Sequence, residues 1–168
     1  MASKLPTVAI IGRANAGKSS LFNRLVRTQQ AIVAREAGTT RDNVIGKASY
    51  RRSDQSEPAE FWVVDTAGLK DPADEFEANI QEQIEEAADS ADVIVVVVDS
   101  TEYPGDDERM VAKKALRSKK PVILVTNKAD LKNSLSDDEF KRLGIKDIIR
   151  TSAEHNSGVS QLLDHLAT

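Results

Sequence analysis

Gly12-Arg13-Ala14-Asn15-Ala16-Gly17-Lys18-Ser19 sits between an apolar run, Thr7 to Ile11 (TVAII), and a helix-like stretch, Gly17 to Arg27. The octet fits the pattern Gly-x4-Gly-Lys-Ser/Thr. Its glycines let the backbone curl, so that successive N–H groups converge on phosphate oxygens at the positive end of a helix. Read this way, Gly12, Arg13, Ala14, Asn15, Ala16 and Gly17 form the cradle, with Ser20 continuing its rim. Lys18 reaches the β- and γ-phosphates, and the Ser19 hydroxyl can ligate Mg²⁺. The motif implies a bound nucleoside phosphate. By itself it leaves an ATPase, a kinase and a GTPase all open.

Outward from the octet, two kinds of segment alternate. Thr7–Ile11, Glu60–Val64 (EFWVV), Val93–Val98 (VIVVVV) and Val122–Thr126 (VILVT) are short, β-branched and almost uninterrupted by polar residues. Such runs suit strands covered on both faces. Asn43–Tyr50 alternates better and predicts an edge strand, and a sixth strand is expected at Asp147–Arg150. Helices are expected over Gly17–Arg27, Phe76–Ala88, Asp106–Arg117, Ser136–Leu143 and Gly158–Ala167. Phe76, Ile80, Ile84 and Ala88 would share one face. Asp106, Asp107 and Glu108 complement a helix dipole at its start, and Ser136 with Glu139 reads as a capping box. The loop-like tracts are Ser53–Pro58 and Leu69–Glu75. The pattern predicts a doubly wound α/β domain with a mostly parallel six-stranded sheet and helices on both faces.

Composition narrows the chemistry. The chain has 168 residues, one domain's worth, with 40% hydrophobic and 30% charged residues and a net charge of −4. The absence of cysteine excludes disulfides, thiolate zinc sites and cysteine catalysis, and suits a reducing, cytoplasmic setting. Val93 to Val98 is far too short to span a bilayer, so no membrane partner is expected. Arg51-Arg52 and Lys119-Lys120 read as solvated loop ends rather than a nucleic-acid footprint. Trp62 reads as core, and His155 and His165 as surface or cap residues. Asp99, ending the Val93–Val98 run, reads as a turn cap with a lesser claim as a site residue. Arg41 suits a switch-loop salt bridge better than an internal arginine finger.

Two further motifs choose among nucleotides. Asp65-Thr66-Ala67-Gly68 ends the Glu60–Val64 strand. An acid there can hold Mg²⁺ through water, and the glycine N–H can meet a γ-phosphate without side-chain interference. Asn127-Lys128-Ala129-Asp130 ends the Val122–Thr126 strand. The two carboxylate acceptors of Asp130 match the N1–H and N2–H donors of guanine and not the edge of adenine. Asn127 would bind the base edge or brace the loop, while the Lys128 stem covers the ring face. Thr151-Ser152-Ala153 follows the last strand, where N–H groups of Ser152 and Ala153 could meet the guanine O6.

With GRANAGKSSLFNRL (Gly12–Leu25), AGTTRD (Ala37–Asp42), DTAGL (Asp65–Leu69) and NKAD (Asn127–Asp130), the chain resembles the translation-factor-like GTPases over nearly its whole length. Among them it is similar to the bacterial group that contains Era, MnmE and Der. The resemblance implies a P-loop NTPase G domain, 1–168, cut from a longer ribosome-assembly chain that would carry a second GTPase domain. The large ribosomal subunit or its RNA would be the partner. It implies a switch I threonine on the Thr39-Thr40 pair, with Thr40 as the Mg²⁺ ligand, and a switch II running from Gly68 to about Glu75. Leu69 stands where Ras-type enzymes carry a water-orienting glutamine, and a leucine cannot bond water. In this group a phosphate-loop asparagine helps hold K⁺, and Asn15 occupies that place. Lys18, Thr40, Gly68 and Asn15 are thus the expected catalytic set. Ser19, Thr40 and Asp65 would serve Mg²⁺, and Asn15 would serve K⁺. The alternatives are a G domain of the MnmE or Era kind, a nucleotide-holding scaffold with little turnover, and a phosphotransferase. The last lacks an Arg-rich lid insertion.

Overall fold

Apolar runs without polar interruption fold here into a sheet packed on two sides. The computed structural model describes residues 6–12, 17–26, 32–35, 42–50, 59–65, 91–152 and 158–166. Its elements are β1 (Thr7–Gly12), α1 (Lys18–Val26), β2 (Ile32–Arg35), β3 (Asp42–Tyr50), β4 (Ala59–Asp65), β5 (Val93–Asp99), α2 (Asp106–Arg117), β6 (Val122–Asn127), α3 (Asp137–Phe140), a 3₁₀ turn (Lys141–Leu143), β7 (Asp147–Arg150) and α4 (Val159–Leu166). The strand order is β2-β3-β4-β1-β5-β6-β7. β4, β1, β5, β6 and β7 run parallel, whereas β2 and β3 pair antiparallel at one side.

Alternation along β1, β5 and β6 sorts their side chains between two cores. Val8 and Ile10 of β1, Val95 and Val97 of β5, and Ile123 and Val125 of β6 face one layer. That layer is completed by Leu21, Phe22, Leu25 and Val26 of α1 and by Val159 and Leu162 of α4. Ala9, Ile11, Ile94, Val96, Val98, Val122 and Leu124 face the other, against Val111, Ala112 and Ala115 of α2 and against Phe140, Leu143 and Ile145. Two-sided burial is why these strands carry no polar alternation.

The expected α/β class, mostly parallel sheet and helices on both faces are present, and two details differ. Among the described residues the sheet has seven strands, because Ile32–Arg35 pairs with Asp42–Ile45, Ile32 opposite Ile45. β3 is therefore an interior strand, bonded by β2 on one side and β4 on the other, and not the expected edge. The capping expectation also shifts. Ser136 is the N-cap of α3 but makes no side-chain cap bond. At α2, the Gly105 N–H donates instead to Glu108 Oε2 at 2.9 Å, the reciprocal half of such a box. Trp62 is half-buried on β4. The expected helix 76–88, the tracts 53–58 and 69–75, Arg41, Arg51-Arg52, His155 and the side chain of His165 lie outside the described residues.

Candidate functional site

All five parallel strands deliver a motif at their carboxyl ends: Gly12 on β1, Asp65 on β4, Asp99 on β5, Asn127 on β6 and Thr151 just past β7. The chain leaves β1 toward one side of the sheet and later returns through β5 to the other. Crevices in open α/β sheets form at such switch points. Asp65 is level with Ile10 in the β1–β4 register, one strand over from the start of the octet. Ser19 lies in the first turn of α1, which Lys18 opens.

Two glycines of the octet are fixed by what surrounds them. Gly12 has φ +149°, and a Cβ there would lie 2.5 Å from the Val97 carbonyl oxygen of the neighbouring strand. Gly17 has φ +92°, and a Cβ there would overlap the Asn127 side-chain amide nitrogen. Only glycine permits both the left-handed backbone and the close approach. The second contact ties the two motifs together: the mouth of the phosphate loop is set by the residue that opens the base-side loop.

Asn127 is buried (3% exposed), and its Oδ1 accepts a hydrogen bond from Thr151 Oγ1 at 3.0 Å. Of the two roles open to it in the sequence, this bond belongs to bracing. Ala129 N–H donates to the Thr151 carbonyl at 2.9 Å and Ser100 N–H to the Asn127 carbonyl at 2.9 Å. Arg150 fastens the far side of the loop, donating to the Leu135 carbonyl at 2.9 Å and to Asp137 Oδ1 at 3.2 Å. Lys128, at the turn itself, has φ +64°. Its Nζ lies 3.1 Å from Asp99 Oδ2. The other oxygen, Asp99 Oδ1, accepts from Thr101 N–H at 2.8 Å and from Thr101 Oγ1 at 2.6 Å. Burial pushes the Asp99 carboxyl up, but the two Thr101 bonds and the Lys128 cation outweigh it and hold the group below its ordinary value. Asp99 thus caps its turn and anchors Lys128 as well.

Gly17, Ser20, Asn127, Lys128, Asp130, Leu131 and Ser152 line one cavity of about 270 Å³. Six of these seven were expected from the motifs. Leu131 was not, since nothing but its position after Asp130 distinguishes it. Ser152 is 2% exposed, and its Oγ has no partner among the described residues. A buried hydroxyl at a cavity wall without a partner calls for one. Arg13–Ala16, Thr39, Thr40, Thr66–Leu69 and Ala153 lie outside the described residues. Among those described, no group of three or more His, Cys, Asp or Glu gathers as a metal cluster. Nor is any helix long and apolar enough to cross a membrane.

A parallel sheet whose strand ends bring a Gly-Lys-Ser loop beside an Asn-Lys-x-Asp turn is the frame of a P-loop GTPase domain. The chain belongs to the family described as 50S ribosome-binding GTPase, which it matches over residues 7–128. Among curated proteins it is similar to GTPase Der of Lactobacillus johnsonii, 41% identical over 161 residues, covering 95% of this chain and 36% of that protein. It is likewise similar to GTPase Der of Phocaeicola vulgatus, 47% identical over 160 residues, covering 94% and 35%. The chain thus spans about a third of the length of these relatives. Among solved structures, Aquifex aeolicus Era bound to GDP.AlF4- superposes with a TM-score of 0.69 at 28% identity, covering 98% of this chain and 56% of that one. The G domain of the T. maritima FeoB iron transporter shares the fold, with a TM-score of 0.68 at 22% identity and coverage of 98% and 100%.

Proposed function

We propose that the chain is a GTP-binding and GTP-hydrolysing switch domain, 1–168, serving a longer protein in assembly of the large ribosomal subunit. The observation that carries this reading is that one cavity joins the end of the phosphate loop, Gly17 and Ser20, to Asn127, Lys128, Asp130 and Ser152. A guanine base fits that donor and acceptor set: two acceptors on Asp130, a lysine stem for the ring face, and a buried hydroxyl on Ser152 with no partner among the described residues. The family description and the names of the relatives support the ribosomal setting, and the share of those relatives covered supports a second domain beyond this one.

In this reading Lys18 and the N–H groups of Gly12 to Ser19 hold the phosphates. Ser19 and Thr40 would hold Mg²⁺, with Asp65 behind a water, and its position level with Ile10 on the adjacent strand end suits that task. Bound Mg²⁺ supplies positive charge to the phosphate oxygens as the terminal bond breaks. Thr40 and Gly68 sense the γ-phosphate, so its loss releases both switch segments. Leu69 offers no bond to the attacking water, which leaves intrinsic turnover slow. Asn15 of the octet would help hold K⁺ in the role an arginine finger plays elsewhere.

Calorimetry with Mg²⁺ present tests the binding half. GTP and GDP should bind and ATP should not; equal binding of ATP and GTP overturns the reading. Phosphate release under saturating GTP tests the rest. Turnover higher in K⁺ than in Na⁺ at equal ionic strength is expected. Equal rates remove Asn15 from the mechanism, and no release at all leaves a nucleotide-holding scaffold.

A further inference from the structure

The cations at the opposite end of the sheet come from two segments that the chain order keeps apart. Residues 110–120 and 141–146 together hold eight Lys or Arg and no Asp or Glu, in a chain whose net charge is −4. The fold sets them side by side. Leu143 and Ile145 share a core with Ala112 and Ala115 of α2, and the Leu116 side chain lies against Gly144. Lys119-Lys120, which alone reads as a solvated loop end rather than a nucleic-acid footprint, leads into β6, and Lys146 leads into β7. The fold thus adds to that dipeptide cations that the sequence keeps apart. Because β6 and β7 are parallel, both sets lie at the amino ends of the strands, away from the nucleotide cavity. Lys113, Arg117, Lys119, Arg142 and Lys146 are exposed, with Lys120 half-buried beside them. None of these six forms an ion pair with a described residue, whereas Lys141 is engaged by Asp138 at 3.1 Å. These cations, without ion pairs to described residues, surround one exposed leucine (Leu116, 42% exposed). They outnumber the exposed carboxylates Asp92 and Asp147 at the same strand ends and make a surface of locally positive potential on an acidic chain.

We infer that this surface docks the phosphate backbone of helical RNA. The patch holds no aromatic residue, since neither segment contains Phe, Tyr or Trp. Unpaired bases are held mainly by stacking on aromatic rings, so a single strand finds no platform here. A duplex presents its phosphates at regular spacing and is read through backbone and shape. The choice of RNA over other polyanions rests on the ribosomal reading above, while the existence of the surface does not.

The test is fluorescence anisotropy with an end-labelled RNA duplex of about 20 base pairs, enough to span a duplex-binding face, and the GDP-loaded chain. Salt is varied between about 50 and 200 mM. Binding should weaken steeply with salt. Arg117→Ala/Lys120→Ala and Arg142→Ala/Lys146→Ala should each flatten the log–log salt slope by about one to two, since each lost phosphate contact removes a little less than one. Lys47→Ala/Arg109→Ala, with Arg109 near the opposite end of α2, should bind as the parent does. GDP affinity should stay unchanged throughout, which also reports intact folding. If the chain binds GDP but not the duplex, the inference fails and the proposed function stands. If it fails to bind GDP, the proposed function fails, and the salt slopes still decide the surface. Unchanged slopes in both patch variants overturn the inference, as does equal loss in the control pair. Stronger competition by polyglutamate or by phosphatidylserine vesicles than by unlabelled duplex would assign the surface to a different partner and overturn it too.

Discussion

The two ends of β5, β6 and β7 hold polar groups by opposite means. At the carboxyl ends the bracing side chains have named partners: Asn127 with Thr151, Lys128 with Asp99, Arg150 with Asp137. The braces there are buried, with Asn127 at 3% and Thr151 at 1% exposure. At the amino ends the cations stand in solvent without ion pairs to described residues. Bonds of fixed geometry give selectivity, because a wrong ligand leaves a buried group unsatisfied. Solvated charges give attraction that adds roughly contact by contact and fades with salt. One sheet therefore offers a discriminating end and a merely attracting one, and single substitutions should behave differently at each.

The largest effect is expected from Asp130→Asn. Exchanging one carboxylate oxygen for an amide nitrogen sets a donor against a guanine donor, so GTP affinity should fall by about 100-fold, the scale of a lost charged hydrogen bond. Xanthine nucleotides, which offer an acceptor at that position, should bind better than to the parent. Titration at low and high salt sharpens the contrast between the ends, since the loss should be the same in both. A loss that disappears in high salt would mean that Asp130 acts as a bulk charge, and the distinction would break.

Gly17→Ala should come next. The new methyl group meets the Asn127 amide and asks alanine to adopt φ +92°, a conformation costing about 1–3 kcal/mol. The strain must be relieved by moving either the phosphate loop or Asn127, so nucleotide affinity should fall by about 10-fold or more. Thermal stability should fall along with it. An alanine variant with unchanged melting temperature and GDP affinity would show that the two motifs are not mechanically joined.

That join marks the limit of what the sequence discloses. The strands of the parallel half were legible because two-sided burial leaves unbroken apolar runs. Their observed ends extend one residue further, to Gly12, Asp65, Asp99 and Asn127, where a glycine or a polar residue still completes the ladder. β2 was not legible. Ile32–Arg35 is only four residues, the Gly38 stretch after it reads as a switch loop and not as a hairpin turn, and the segment becomes a strand through pairing with β3. Each motif could be read alone, since its spacing carries its chemistry. The contacts that organise them could not: Asp99 and Lys128 are 29 residues apart, Asn127 and Thr151 are 24 apart, and the basic surface joins two separate segments. Leu131 lacked any signal of its own.

Asp99→Asn should give the smallest effect at the discriminating end. The amide can still cap the turn through Thr101, so what is lost is the charge that holds Lys128. Lys128 is partly exposed, and part-exposed pairs are worth little, so GDP affinity should drop only about two- to five-fold. The pH dependence identifies the cause. A carboxyl held below its ordinary value contributes stability above the unfolded value of about 3.9. That contribution is lost only as pH falls through the lowered folded value. The stability gap between parent and variant should therefore be flat from neutrality down to about pH 5, then close at more acidic pH. Urea unfolding across that range measures it. A gap that closes near pH 6 would point to another titrating group. A gap that stays open under strongly acidic conditions would mean that the pair's charge contributes nothing, and that Lys128 is held by the turn alone.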